Sequence, residues 1–110
     1  MRRGSKRRSP MLVRSWDRVL ETYSAETFLP QLHAQFSLID ESGRLDIELV
    51  EVTQLGEATP ERRAPFSLVF RGPESATLPQ RIYRLEHAAL GTFELFLVPI
   101  APGRYEAIFT

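Results

Sequence analysis

The sequence predicts a mainly β protein: a small six-stranded antiparallel barrel, or a curled meander sheet, with a short N-terminal helix. Three observations lead there. From Phe36 onward, apolar residues alternate with polar ones at period two in six short runs. Segments carrying Gly, Pro, Asp or Ser separate those runs. Helical periodicity is concentrated in the segment that ends at Tyr23.

Taken in order, "MRRGSKRRSP" offers no large apolar residue between Met1 and Met11. It cannot bury surface to offset its ordering entropy, so residues 1–14 are expected to be a disordered basic tail ahead of one β-rich domain, 15–110. "SWDRVLETY" (15–23) sets Trp16, Val19, Leu20 and Tyr23 on one helical face, with Ser15 as N-cap and Asp17 in the first turn. "SAETFLP" (24–30) reads as one further helical turn, capped by Ser24 and closed where Pro30 disfavours helical geometry at Leu29. Phe28 and Leu32 are expected to face the core.

Phe36 and Leu38 share one face of "FSLID" (36–40), and "DESG" (40–43) is a turn in which Gly43 supplies positive φ. In "RLDIELVEV" (44–52), Leu45, Ile47 and Leu49 alternate with Asp46 and Glu48. The phase then slips to Val50 and Val52, as at a β-bulge or on becoming buried from both sides. After the loop "GEATPERRA" (56–64), "PFSLVF" (65–70) points Phe66, Leu68 and Phe70 inward. The loop "RGPESATLP" (71–79) is long for a hairpin. Tyr83, Leu85 and His87 share a face of "RIYRLEH" (81–87). "FELFLVPI" (93–100) puts Phe93, Leu95 and Leu97 on one face, and Phe96, Val98 and Ile100 on the other. The turn "APGR" (101–104) and the closing strand "YEAIF" (105–109) complete six strands. Short connections favour an antiparallel meander, and closure would remove its exposed edges.

Composition narrows the function classes. A chain of 110 residues is one domain and buries roughly 65% of its unfolded surface, enough for a compact core but not for a large internal cavity. There is no cysteine, which excludes disulfides and thiolate metal sites. The run Leu95–Ala101 is too short for a membrane span, and a secretory h-region is absent, so a soluble, cytoplasmic protein is expected. Net charge is zero, but Arg2, Arg3, Lys6, Arg7, Arg8 and Arg14 put +6 on residues 1–14 and leave −6 on the rest. Nucleic acid is therefore disfavoured as a partner, except through the basic tail.

The residues capable of chemistry do not assemble on paper. Glu86 and His87 are adjacent in a strand and point to opposite faces, so they cannot form a facing acid–base pair. Ser37 and Ser67 lie inside strands, and no G-x-S-x-G is present. His87 is expected to bond a backbone carbonyl and fix the "HAALG" turn. His33 and His87 are the two histidines and lack zinc-type spacing. Asp40, Glu41, Asp46 and Glu48 lack the EF-hand order and read as the solvated face of a hairpin. No glycine-rich phosphate loop precedes a helix. The sequence thus predicts no enzyme, no catalytic residues, no metal site and no cofactor.

The runs "PFSLVFRGP" (65–73), "LPQ" (78–80), "YRLEHAALG" (83–91), "LFLVPI" (95–100) and "YEAIF" (105–109), with "ETFLPQLHAQFSLI" (26–39) and "IELVEV" (47–52) upstream, carry a resemblance. Together they resemble a family of small bacterial β-rich proteins of unknown function, often encoded near phage-tail-collar-like proteins. The likeness covers about residues 24 to 110. It implies a β domain standing alone, brings no catalytic residues, and hints at an assembly role.

The sequence's main anomaly is a second apolar phase: Val50, Val52, Val69, Ile82, Phe96, Val98, Ile100 and Ile108. A small barrel fills its interior with one phase only, so this one needs cover from elsewhere. Cover can be internal, from Trp16, Val19, Leu20 and Tyr23, or external, from a protein partner or a second copy. The expected function is a non-enzymatic interaction or assembly module, with Val69, Ile82, Phe96, Val98 and Ile100 as its interaction face. The alternative is a small-ligand or sugar-binding β domain whose mouth is lined by Tyr83, His87 and Tyr105.

Overall fold

The computed structural model describes residues 22–75 and 77–110. The expected basic tail, and the expected helix except for its last two residues, lie outside the described residues.

Six antiparallel strands close into a barrel: β1 (Gln35–Asp40), β2 (Gly43–Gln54), β3 (Phe66–Arg71), β4 (Arg81–His87), β5 (Gly91–Ala101) and β6 (Arg104–Phe109). Each falls on one of the six alternating runs. This is the barrel of the two expected forms, with strand order β1-β2-β3-β6-β5-β4, so the strands do not follow one another in a single continuous meander. Two three-stranded meanders, β1-β2-β3 and β4-β5-β6, are joined edge to edge by the pairs β3–β6 and β1–β4. Strands β3 and β4 are consecutive in sequence yet lie three places apart around the ring. The segment 72–80 between them therefore crosses one end of the barrel. A tight hairpin would have forced them together; this loop is long enough not to.

Turn chemistry follows the residue types. Asp40 closes the β1–β2 hairpin by accepting the Ser42 N–H at 2.9 Å and its hydroxyl at 2.7 Å. Gly43 takes φ +129°, and in the β5–β6 turn Gly103 takes φ +72° after Pro102. A bulge between Leu49 and Glu51 is the phase slip seen in the sequence. It turns Val52 inward, opposite Leu68 and against the core, so Val52 does not belong to the outer apolar set. The β5–β6 register also shifts between Pro99 and Ala101, where the missing proline N–H costs least.

Most of the expected inward set forms the interior: Phe36, Leu38, Ile47, Leu49, Phe66, Leu68, Phe70, Tyr83, Leu85, Phe93 and Leu97 are within 2% of full burial, Leu95 is also buried, Leu45 is partly buried against them, and Tyr105 joins the core. At the end opposite the crossing loop, the one-turn helix α1 (Ala25–Phe28) starts at Ser24, whose N–H donates to the Thr27 hydroxyl at 2.9 Å. It drives Phe28, fully buried, between the rings of Phe66, Phe93 and Phe109. Tyr23 meets Phe28 and Phe93 edge-on at 5.3 and 5.8 Å. Tyr23 is thus part of the internal plug and does not cover the outer face.

Two local expectations are corrected. Leu29 is αR despite preceding Pro30, because a 3-10 turn over Leu29–Gln31 places the proline early, where no donor is needed. Leu32 is 37% exposed rather than in the core, since the chain leaves that turn in extended conformation and Ala34 makes the core contact instead.

Candidate functional site

The outer surface of β4, β5 and β6 carries the strongest candidate. Ile82 and Phe96 face each other across the β4–β5 ladder and are 57% and 49% exposed. Ile100 and Ile108, outward on β5 and β6, are 49% and 59% exposed. Among the described residues, these are four of the seven large apolar side chains left exposed. The rest lie off the sheet, in the turn after α1 and the loop after β2. Two rungs from Ile82 and Phe96, and so on the same face, stand Arg84 and Glu94, a charged border to the apolar pair. Val98 is half-buried and stands opposite Glu106.

Val69 is a correction. It pairs with Glu51 and Glu106 and keeps only 6% of its surface, so it offers a partner almost nothing. Four of the five predicted face residues thus share the outer face of β4 and β5, and the fifth sits on β3 and is buried. Ile108 joins them; its out-of-phase position in "YEAIF" was the signal.

The β5–β6 junction is incomplete. Its ladder comprises Ala101–Arg104, Pro99–Tyr105 and Val98–Glu106, and stops there. Below it, the two strands run on beside a groove of about 630 Å³ lined by Glu94, Phe96, Val98, Ile108 and Thr110. Arg63 closes its lower end. Its guanidinium donates to the Tyr23 carbonyl at 2.8 Å and to the Thr110 carbonyl at 3.3 Å, and lies over the stacked rings of Phe66 and Phe109. Sequence reasoning missed Arg63, since nothing in "PERRA" tells one loop arginine from its neighbour.

The proposed ligand mouth does not form. Tyr83 and Tyr105 stand at the end crossed by segment 72–80, and His87 stands at the other end of β4. Tyr83 donates its hydroxyl to the Pro79 carbonyl at 2.6 Å, and Tyr105 accepts the Leu78 N–H at 2.9 Å. Both phenols hold the crossing loop in place, and burial raises the pKa of Tyr83 above the ordinary tyrosine value.

His87 packs its ring on Phe36 with centroids 4.5 Å apart, and its Nδ1 accepts the N–H groups of Ala89 at 3.0 Å and Leu90 at 3.2 Å. The histidine does fix the turn, but as an acceptor of amide protons and not as a donor to a carbonyl. Burial lowers its pKa, and the same lone pair that would take a proton is already engaged. Glu86 turns outward, within 3.4 Å of the Arg44 guanidinium. Ser67 is buried, and Ser37 donates to Asp46 at 3.2 Å.

The family model described as "Domain of unknown function (DUF6916)" matches residues 23–109. The chain belongs to the DUF6916 family. The match spans the plug, all six strands and the groove. Neither the curated proteins nor the solved structures include a match to this chain.

Two acidic side chains of this DUF6916 barrel are held by hydrogen bonds that perturb them. Glu48 accepts from Arg71 at 2.7 Å and from His33 at 3.0 Å, and these bonds, that of His33 first, lower its pKa. Asp40 is likewise lowered by its bonds to Ser42. Among the described residues, no three His, Asp or Glu side chains gather as a metal-binding group, and no helix is long and apolar enough to cross a membrane.

Proposed function

We propose that this protein is a non-enzymatic interaction or assembly module that docks a protein partner, or a second copy of itself, through the outer face of β4 and β5. The observation that carries this reading is the Ile82–Phe96 cross-strand pair. Two large apolar side chains stand opposite each other, each about half exposed, and Ile100 extends the patch along β5. At half exposure each forgoes about half of the roughly 1.5–3 kcal/mol that full burial of such a side chain contributes, and a contacting surface would recover it. A charged border next to an apolar centre is the usual anatomy of a contact patch. The resemblance to proteins encoded beside phage-tail-collar-like proteins suggests an assembly setting.

The test is sedimentation of the full chain over a wide concentration range, beside the double variant Ile82→Glu, Phe96→Glu, and photo-crosslinking from position 82 in the cells that make the protein. A concentration-dependent mass lost in the double variant supports self-association. A defined adduct from position 82 with a second protein supports a partner. A monomer that yields no adduct overturns the reading.

A further inference from the structure

We propose that the β4–β5 face binds a second copy of the same chain, through a two-fold axis that runs between β4 and β5 along the strands; this rests on the docking role proposed for that face.

The face is self-complementary under that rotation. Its outward residues come as cross-strand pairs, Ile82 opposite Phe96 and Arg84 opposite Glu94. Each pair holds its own complement: two large apolar side chains in one, a cation and an anion in the other. When two copies meet face to face, an axis in the interface plane and parallel to the strands exchanges the members of each pair. Strand β4 of one copy then lies on β5 of the other. Ile82 meets Phe96 of the second copy, and two residues along Arg84 meets Glu94 of the second copy. The rotation repeats both contacts, giving two apolar contacts and two ion pairs from four residues, as an isologous interface requires. Sheets packed face to face keep their strands within about 30° of each other, so the match holds over these two rungs. An axis across the strands, at the level of Ile82 and Phe96, would also set apolar on apolar. It would place Arg84 on Gln80 of the second copy and Glu94 on Val98 of the second copy, burying a carboxylate without a partner. The charges therefore select the axis along the strands.

Those charges are also unspent. Arg84 and Glu94 stand opposite each other, yet among the described residues neither belongs to an ion pair, whereas Glu86 on the same strand is held by Arg44 at 3.4 Å. An exposed pair gains little in water, and enclosure between two chains strengthens it. The shape of the wall agrees. The outside of a barrel is convex, so two copies touch over the two strands at the axis and little more. Among the described residues, β1, β2 and β3 expose no large apolar side chain, so β4 and β5 hold both the apolar centre and the charges that orient it. A contact of two strands per copy is small, and the dimer should form and dissociate with concentration.

The test is sedimentation of the full chain, of Arg84→Glu, of Glu94→Arg and of an equimolar mixture of the two variants. The parent should dimerise with rising concentration. Each variant alone sets like charges against each other at both contacts and should weaken dimerisation by about tenfold or more. In the mixed dimer opposite charges meet again at both contacts, so association should return toward the parent level. Each chain in the mixture still carries its own like-charged cross-strand pair, so this rescue reports contact between chains and not the fold of either. Should a charge variant fail to fold, disulfides replace it. Cysteine is absent from the chain, so Ile82→Cys mixed with Phe96→Cys should oxidise to the mixed disulfide in preference to either symmetric one. Charge variants that dimerise as the parent does, variants that mixing does not rescue, or symmetric disulfides in preference to the mixed one overturn the proposed dimer. A monomer that crosslinks from position 82 to a different protein also overturns it, and leaves the docking face standing. A monomer without any adduct removes both.

Discussion

The N–H of Leu78 donates to the phenol oxygen of Tyr105 at 2.9 Å, tying the crossing segment 72–80 to a strand 27 residues away. With the Tyr83–Pro79 bond, it closes one end of the barrel by two side chains from β4 and β6, the outer strands of one meander. The loop is held by these phenols and by the Gly72 N–H, which donates to the Gly103 carbonyl at 2.7 Å. Tyr105→Phe keeps the ring and removes the acceptor. It should cost about 1–2 kcal/mol in chemical denaturation, and exchange of the Leu78 amide should accelerate more than that of strand amides. An unchanged Leu78 exchange rate would show that the phenol does not hold the loop.

Gly103 and Gly91 both take positive φ, +72° and +81°, but their surroundings differ. A Cβ on Gly103 would lie 2.7 Å from the Gly72 carbonyl oxygen, whereas one on Gly91 meets nothing within 4 Å. Gly91→Ala should cost only backbone strain, about 1 kcal/mol. Gly103→Ala adds a clash with main chain and should cost clearly more, with the Gly72–Gly103 bond broken. Equal losses in thermal denaturation would refute the distinction.

Phe28 is the plug at the other end, fully buried among Tyr23, Phe66, Phe93 and Phe109. Phe28→Ala should cost about 3–5 kcal/mol, because the surrounding rings belong to four separate segments and cannot collapse together. Leu32→Ala, four residues on but 37% exposed, should cost far less. Denaturant midpoints of the two variants check the contrast.

Burial places the folded-state pKa of His87 below the ordinary value of 6.5. The stability this contributes is fully present above about pH 6.5 and is lost as pH falls through the lower folded value. His87→Gln keeps an acceptor near the Ala89 and Leu90 amides and should cost at most about 1–2 kcal/mol at neutral pH. It should also lack this acid loss, so parent and variant should converge in stability between pH 7 and pH 5. Parallel stability curves over that range would show that His87 is not held neutral by the fold.

Which side chains face inward was written in the sequence. Alternation along "FSLID", "PFSLVF" and "YRLEH" is a local property, because adjacent strand residues point to opposite faces whatever the strand pairs with. The bulge at Val50 and the irregularity at Pro99 were legible for the same reason: a phase slip and a missing N–H are features of the chain itself. Turn glycines at 43, 91 and 103 followed from the conformations only glycine adopts easily. Tertiary structure alone decided who neighbours whom. The order β1-β2-β3-β6-β5-β4 depends on segment 72–80 spanning the barrel and on closure pairing both free edges, and both are long-range constraints invisible to a period-two pattern. Only that arrangement put Tyr83 and Tyr105 under the crossing loop and left His87 at the opposite end. It also shielded Val69 and ended the β5–β6 ladder at Val98. A strand's periodicity fixes the face each residue takes, but a site is made by residues from different strands, and their meeting is set by loop length, closure and packing.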